Sequence, residues 1–221
     1  MAHNAFDTAS ISTAQMPNAQ PDISAMVAAR ICHDLVSPLG AIGNGIELLQ
    51  VAGQTNGPEL ELVAESTSSA NAKLRFFRVA FGYVWSDQMI SQAEIRSILS
   101  GLAPFQKHNV IWQCSIDLTR KKAKLAFLLL MCLETTLGWG GEIEIAIWDG
   151  GARMIARSDR LKLDDSLWQS LESGQEISEI TSARVQFALA VSELRAQDSQ
   201  IKLTEWACTL ALDVTFGTTD T

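Results

Sequence analysis

The chain has 221 residues, of which 47% are hydrophobic, and this is enough for one or two domains with a buried core. Its net charge of −8 and isoelectric point near 4.9 argue against nucleic acid or an anionic membrane as the main partner. The four cysteines are widely spaced and form no CxxC pair, which predicts reduced thiols in a cytoplasmic protein without a zinc site.

The first residues, 1–21, are rich in Ala, Ser, Thr, Asn, Gln and Pro and show no apolar period, which predicts a disordered tail. They lack the basic and apolar regions of a signal peptide. The most apolar stretch, KLAFLLLMCLETTLGWGG, is shorter than a membrane span and contains Glu134. The sequence therefore predicts no contact with a membrane.

Residues 22–87 carry two helical stripes. Asp22 can cap the first helix, and the second is predicted from Glu59 to about Trp85, after the loop AGQTNGP. The first stripe consists of Ile31, Leu35, Leu39, Ile42, Ile46 and Leu49. The second consists of Leu60, Val63, Thr67, Ala70, Leu74, Phe77, Phe81 and Val84. One antiparallel hairpin buries both stripes poorly, so we expect a homodimer with a four-helix bundle.

Residues 88–217 mix helices with strands. Helices are predicted over 93–102, 121–137, 164–171 and 182–195. Strands are predicted over NVIWQCSI, over two segments joined at Asp149-Gly150-Gly151, and over the pair in QIKLTEWACTLALDVTF. This mixture predicts an α/β sandwich, which makes the chain α+β in class, with a short tail at 218–221.

His33 is predicted to face solvent. An α-helix advances 100° per residue, which places His33 about 160° from the mean direction of the first stripe. Ser37, Gly40 and Asn44 share its face. The histidine therefore lies among small neighbours, where a large partner can approach it.

Two ordinary interpretations of His33 compete with a functional one. A single histidine in a helix is most often a plain surface or core residue, and a His-Asp pair also occurs in metal-dependent phosphohydrolases. A metal centre needs more ligands, and the other histidines are only His3, in the tail, and His108. The candidate ligands are therefore too few for a metal site.

The segment HDLVSPLGAI resembles the H-box of sensor histidine kinases, the helix that carries their phosphoaccepting histidine. Imidazole is a nucleophile that forms a labile phosphoramidate, and an acid such as Asp34 can hold the ring tautomer or take up its proton. Pro38 has no backbone N–H and clashes with the carbonyl of Asp34, so a bend is expected just after His33.

The second half of the chain lacks the nucleotide-binding boxes of such kinases. The helix 121–137 contains Glu134 but no asparagine for magnesium, and Asp149-Gly150-Gly151 lacks the spacing of an adenine-binding loop. Neither GxGxxG nor GxxxxGK[ST] occurs. With CHDLVSPLGAIGNGIELL, this pattern resembles the ChpT-type histidine phosphotransferases of alphaproteobacteria, in which an H-box hairpin precedes a degenerate kinase-type ATPase-like domain.

The resemblance implies a homodimer that relays phosphoryl groups between receiver-domain aspartates, from a CckA-like hybrid kinase to CtrA-like and CpdR-like response regulators. By carry-over, His33 is the phosphoacceptor and Asp34 orients or deprotonates it. No ATP, cofactor or metal is expected in this chain, and magnesium is expected to come with the receiver.

Seven residues are expected to help bind the receiver, although simple solvation of the helix faces also explains the charged ones. They are Arg30, Ser37, Gly40, Asn44, Lys73, Arg75 and Arg78. Ser37 either aims a hydrolytic water or leaves room for the receiver. Two other functions stay open: a non-catalytic dimeric adaptor for receivers or kinases, and an ATP-dependent histidine kinase with unusual boxes.

Overall fold

A computed structural model describes residues 22–52, 57–85, 88–177 and 179–217, and the predicted tails 1–21 and 218–221 lie outside them. The helical hairpin consists of α1 (Ile23–Ala52) and α2 (Pro58–Ala80). The helices that follow are α3 (Gln92–Leu102), α4 (Arg120–Glu134), α5 (Asp165–Ser173) and α6 (Val185–Ala196), with 3-10 turns at Ala103–Phe105 and Ser182–Arg184. The strands are β1 (Met89–Ile90), β2 (His108–Cys114), β3 (Leu118–Thr119), β4 (Gly141–Trp148), β5 (Gly151–Arg157), β6 (Gln200–Trp206) and β7 (Thr209–Thr215).

The ends of the hairpin helices follow local chemistry. The Asp22 carboxylate accepts a hydrogen bond from the Ala25 N–H at 3.0 Å, which confirms the predicted cap of α1. α2 ends at Ala80, so its predicted extension to about Trp85 is wrong. The chain turns at Gly82, where a Cβ would collide with the Arg78 carbonyl. The apolar spacing continues beyond the helix because Phe81 still packs against the core.

The two long helices are antiparallel, since Asp34 meets Lys73 and Gly45 meets Val63 further along α1. Gly45 is buried, and a Cβ there would lie 2.5 Å from Cγ2 of Val63, so this glycine permits a close approach of the helices. The buried face of α1 is centred on Pro38 and Gly45 and not on Leu35, the predicted centre of its stripe. A single chain therefore covers only one side of that stripe.

The main sheet has the strand order β2-β4-β5-β7-β6, with β2 parallel to β4 and the other neighbours antiparallel. Ile143, Ile145 and Ile147 of β4 are buried toward the helices. Glu144, on the opposite face, accepts a hydrogen bond from Arg157 at 3.1 Å. The described residues thus form a mixed α+β fold, as predicted. The small β1–β3 pair was not predicted, because two-residue strands are too short to show a period.

One continuous core joins the hairpin to the α/β part. The ring of Phe76 in α2 stacks on that of Phe127 in α4, with centroids 4.8 Å apart, and both rings are buried. Phe77 lies in the same cluster. The base of the hairpin is therefore fixed on the C-terminal part, and this fixes the direction in which the His33 helix projects.

The helix α1 is long and apolar enough to span a membrane, judged by length and composition alone. The sequence interpretation missed this because it considered continuous aliphatic runs, whereas α1 mixes large apolar residues with Ala, Gly and Ser. Arg30, His33 and Asp34 lie within the same helix, and charged groups at membrane depth are costly. The apolar surface of α1 is therefore expected to be buried, and packing against other helices can bury it as effectively as lipid.

All four cysteines of the chain lie in the described residues as free thiols. Cys132 belongs to α4 and is fully buried in the core, and this burial raises the pKa of its thiol well above the ordinary value. Glu134 adds to the rise and Arg184 opposes it. A thiol in this state is a packing group and a poor nucleophile.

We expect Gly141→Ala to lower the free energy of unfolding by about 2–3 kcal/mol. Gly141 begins β4 with φ at +147°, and a Cβ there would collide with the Arg157 carbonyl on the neighbouring strand. Urea unfolding measures the effect. Gly138→Ala is the matched control in the same connection, because a Cβ at Gly138 meets nothing within 4 Å. Equal stability of the two variants would contradict the expectation.

Candidate functional site

His33 projects into solvent from α1, with 85% of its side chain exposed. Its Nδ1 lies 3.0 Å from Oδ1 of Asp34, the next residue. A carboxylate only accepts hydrogen bonds, so this contact places the proton of a neutral ring on Nδ1. The lone pair of that ring then lies on Nε2, at the exposed edge.

The Asp34 carboxylate also bonds to a residue of the preceding turn of α1. Its Oδ2 accepts a hydrogen bond from Nε of Arg30 at 2.8 Å, one turn earlier in α1. Nη1 of Arg30 donates to the Ala183 carbonyl at 2.7 Å, in the 3-10 turn before α6. A chain of contacts therefore runs from the imidazole through Asp34 and Arg30 to the C-terminal part. Arg30, predicted to bind a partner, bonds within its own chain.

Lys73 reaches the same turn from α2. Its ammonium donates to the backbone carbonyl of Asp34 at 3.0 Å. Like Arg30, this predicted partner-binding cation makes its contact inside the chain. The structure thus brings His33, Asp34, Arg30 and Lys73 together in one cluster, whereas the sequence predicted Lys73 only as a receiver-binding or solvated cation.

The small predicted neighbours of His33 form an open surface. Ser37, Gly40 and Asn44 are exposed, and a Cβ at Gly40 would meet nothing within 4 Å. This strip leaves the exposed edge of the imidazole accessible along about two turns of α1. A second macromolecule that approaches the ring along this strip therefore meets little side-chain bulk.

Arg75 and Arg78 make their contacts with α3 and not with the His33 turn. Arg75 donates to the Ser97 hydroxyl at 3.1 Å, and Arg78 lies 3.8 Å from Glu94 with 69% of its side chain exposed. An exposed ion pair of this length is weak. Both guanidinium groups therefore keep free donors on the surface of α2.

A cavity of about 350 Å³ adjoins the cluster on its inner side, between the hairpin and the α/β part. Arg30, Asp34 and Lys73 line it from the hairpin, and His108 and Glu134 line it from the other side. Oε1 of Glu134 accepts hydrogen bonds from Gln106 at 2.9 Å and from His108 at 3.1 Å. Sequence reasoning missed this grouping because its members come from segments that have no shared motif.

The Asp-Gly cluster that lacks the spacing of an adenine-binding loop lies at a turn of the sheet. Asp149-Gly150 forms the two-residue turn between β4 and β5, and Nζ of Lys122 lies 3.2 Å from the Asp149 carboxylate. Within the described ranges, no group of three or more His, Cys, Asp and Glu side chains is placed to hold a metal ion. The titratable pair that the structure does bring together at the His33 turn is the imidazole and the Asp34 carboxylate.

Three comparisons with known proteins bear on this arrangement. Residues 92–205 match the family model of the histidine phosphotransferase C-terminal domain, a range that follows the hairpin and does not include His33. A protein of Brucella abortus (strain 2308), named protein phosphotransferase ChpT, is 30% identical over 128 residues, which are 57% of this chain and 61% of that protein. The match thus spans about three-fifths of the length of this curated relative.

Solved structures share the architecture. A structure of a bacterial phosphotransferase superposes with a TM-score of 0.74 over 87% of this chain and 95% of that chain, at 24% identity. The histidine kinase AdeS of Acinetobacter baumannii aligns over 85% of this chain and 98% of its own, with a TM-score of 0.44 and 8% identity. The first of these shows a common fold across the hairpin and the α/β part.

Proposed function

The chain belongs to the histidine phosphotransferase family, and we propose that it relays phosphoryl groups between receiver-domain aspartates through His33. One observation carries the proposal: the imidazole is 85% exposed while its Nδ1 faces the Asp34 carboxylate. The nucleophilic nitrogen is thereby presented to a partner on a surface of small residues.

The transfer step needs few groups from this chain. The lone pair on Nε2 attacks the phosphorus of an aspartyl phosphate, so that a P–N bond forms while the P–O bond to the receiver carboxylate breaks. The carboxylate leaves as an anion, and the Asp34 carboxylate offsets the positive charge that develops on the ring. The reverse step passes the phosphoryl group to the aspartate of a second receiver.

Phosphoryl transfer depends on positioning and charge neutralisation more than on covalent help from the protein. In this proposal the receiver brings its own magnesium, and Ser37, Gly40 and Asn44 give it room at the imidazole. The exposed cations Arg75 and Arg78 then attract the acidic surface of the receiver. The expected donor is a CckA-like hybrid kinase, and the expected acceptors are CtrA-like and CpdR-like regulators.

ATP is not part of the proposed reaction. The Asp149-Gly150 segment, which lacks the spacing of an adenine-binding loop, is a hairpin turn in contact with Lys122. The Glu134 carboxylate at the end of α4 accepts hydrogen bonds from His108 and Gln106. These contacts support an α/β part that serves as a scaffold for the hairpin. Free cysteines agree with the reducing cytoplasm as the place of this reaction.

We also propose that two chains form a four-helix bundle. Large apolar side chains at heptad spacing stay exposed on one chain: Leu39 at 57% and Ile46 at 44% on α1, and Leu60 at 43% and Leu74 at 48% on α2. Such an exposed apolar stripe on a helical hairpin is the surface that dimerisation buries. A second copy covers this stripe and leaves the charged groups of α1 in water, whereas a bilayer would surround those groups with lipid.

Incubation with a receiver domain phosphorylated on its aspartate tests the function. We expect radiolabelled phosphate to move from the receiver to this protein, in a form that is labile in acid and stable in base, as a histidine phosphoramidate is. Labelled ATP without a kinase should leave the protein unlabelled. A label that stays on the receiver while the two proteins bind each other would identify an adaptor and overturn the proposal, and label from ATP alone would identify a kinase.

A further inference from the structure

Pro38 leaves a gap in the hydrogen bonding of α1, next to the phosphoacceptor. In an α-helix each backbone N–H donates to the carbonyl four residues earlier, and proline has no N–H. The carbonyl deprived in this way is that of Asp34. The helix nevertheless continues without a break from Ile23 to Ala52.

The missing donor is replaced from another helix. Nζ of Lys73 lies 3.0 Å from the Asp34 carbonyl oxygen, in a partly buried position between α1 and α2. A cationic donor makes a stronger hydrogen bond than the neutral backbone N–H that proline removes. The deprived carbonyl is therefore satisfied, and the bond ties the two helices of the hairpin at the turn that carries His33.

Asp34 is consequently fixed at three points. Its carbonyl accepts from Lys73, its Oδ2 accepts from Arg30, and its Oδ1 faces Nδ1 of His33. The first two contacts set the position of the residue, so the third can set the orientation of the ring. A change at the carbonyl is thus transmitted to the imidazole through one residue.

We propose that Lys73 is a positioning residue for phosphoryl transfer, which supplies the hydrogen bond that Pro38 withholds and so holds Asp34 against His33. This assignment rests on the proposed relay through His33. It also gives Lys73 a task different from receiver docking, because its ammonium points into the hairpin. Pro38 and Lys73 then act as a pair: the proline creates the free carbonyl, and the lysine occupies it.

The pairing makes a specific prediction for single-turnover transfer from a phosphorylated receiver. Lys73→Met should slow transfer about tenfold, equivalent to about 1.4 kcal/mol. Lys73→Arg should stay within about twofold of the wild type, because a guanidinium can donate to the same carbonyl. In a Pro38→Ala background the alanine N–H returns as the donor, so adding Lys73→Met should cost less than about twofold.

The matched control is Lys202→Met on the exposed edge strand β6, which should keep the wild-type rate. A second readout is the carbonyl 13C shift of Asp34, which should move on Lys73→Met in the Pro38 protein and stay unchanged when the same substitution is added to Pro38→Ala. A full transfer rate in Lys73→Met, or an equal loss in both backgrounds, would overturn the inference. Absence of transfer by the wild type would overturn the proposed relay instead, and the 13C shifts would still decide the pairing.

Discussion

The substitution His33→Ala is expected to abolish transfer from a phosphorylated receiver, with a rate lower by at least about 10³-fold. The imidazole is the nucleophile in the proposed step, and no neighbouring group replaces it, since Asp34 and Arg30 bond to each other behind the ring. The fold should be unaffected because the side chain is 85% exposed, so the free energy of unfolding should change by less than about 0.5 kcal/mol. Rapid-quench labelling measures the rate, and urea unfolding measures the stability.

His108→Gln provides the matched control for that result. Its imidazole is 10% exposed and bonded to Glu134, so it offers no accessible nitrogen to a receiver. The label should remain acid-labile and should remain on His33 in this variant. Full transfer by His33→Ala would exclude His33 as the relay residue.

The double substitution Leu39→Glu with Ile46→Glu is expected to convert a dimer into monomers. Both side chains are about half exposed on one chain, and in the proposed bundle each would bury a carboxylate without a partner. We expect the dissociation constant to rise by at least about 10³-fold, equivalent to about 4 kcal/mol. Sedimentation equilibrium measures the change, and circular dichroism checks that the helices persist.

Val51→Glu is the control for the dimer interface, because Val51 is 87% exposed and lies on the same side of α1 as His33. It should leave the dimer intact. Monomeric wild-type protein in solution would contradict the proposed bundle. Partition of the wild-type chain into lipid vesicles would show that a bilayer covers the stripe.

The helices and most strands were predictable because each carries its own period. The alternation in EIEIAIW and the Asp-Gly turn after it specify a hairpin locally, and the structure contains it. The exposed position of His33 followed in the same way from helix geometry. These features depend on residues that are close in the sequence, within about one or two helical turns of each other.

The surroundings of Asp34 were not predictable, because they depend on how distant segments pack. Lys73 and Ala183 are 39 and 153 positions away from the residues that they contact. A charged residue on a predicted helix gives no sign of whether it turns inward to a freed carbonyl or outward to a partner. The predicted centre of the buried face of α1 was wrong for a related reason. The sequence of α1 carries one wide apolar stripe, and packing decides which edge of the stripe faces α2.

The stacking of Phe76 on Phe127 has a consequence for how this architecture can be recombined. A hairpin and an α/β part that share a core are not interchangeable modules, even though the proposed relay residue lies in the hairpin. A hairpin grafted onto another scaffold would remove Phe76 and Phe77 from their present packing partners, and the new scaffold would have to supply others of matching shape. Removal of the α/β part would therefore expose Phe76 and Phe77 and destabilise the hairpin that carries His33.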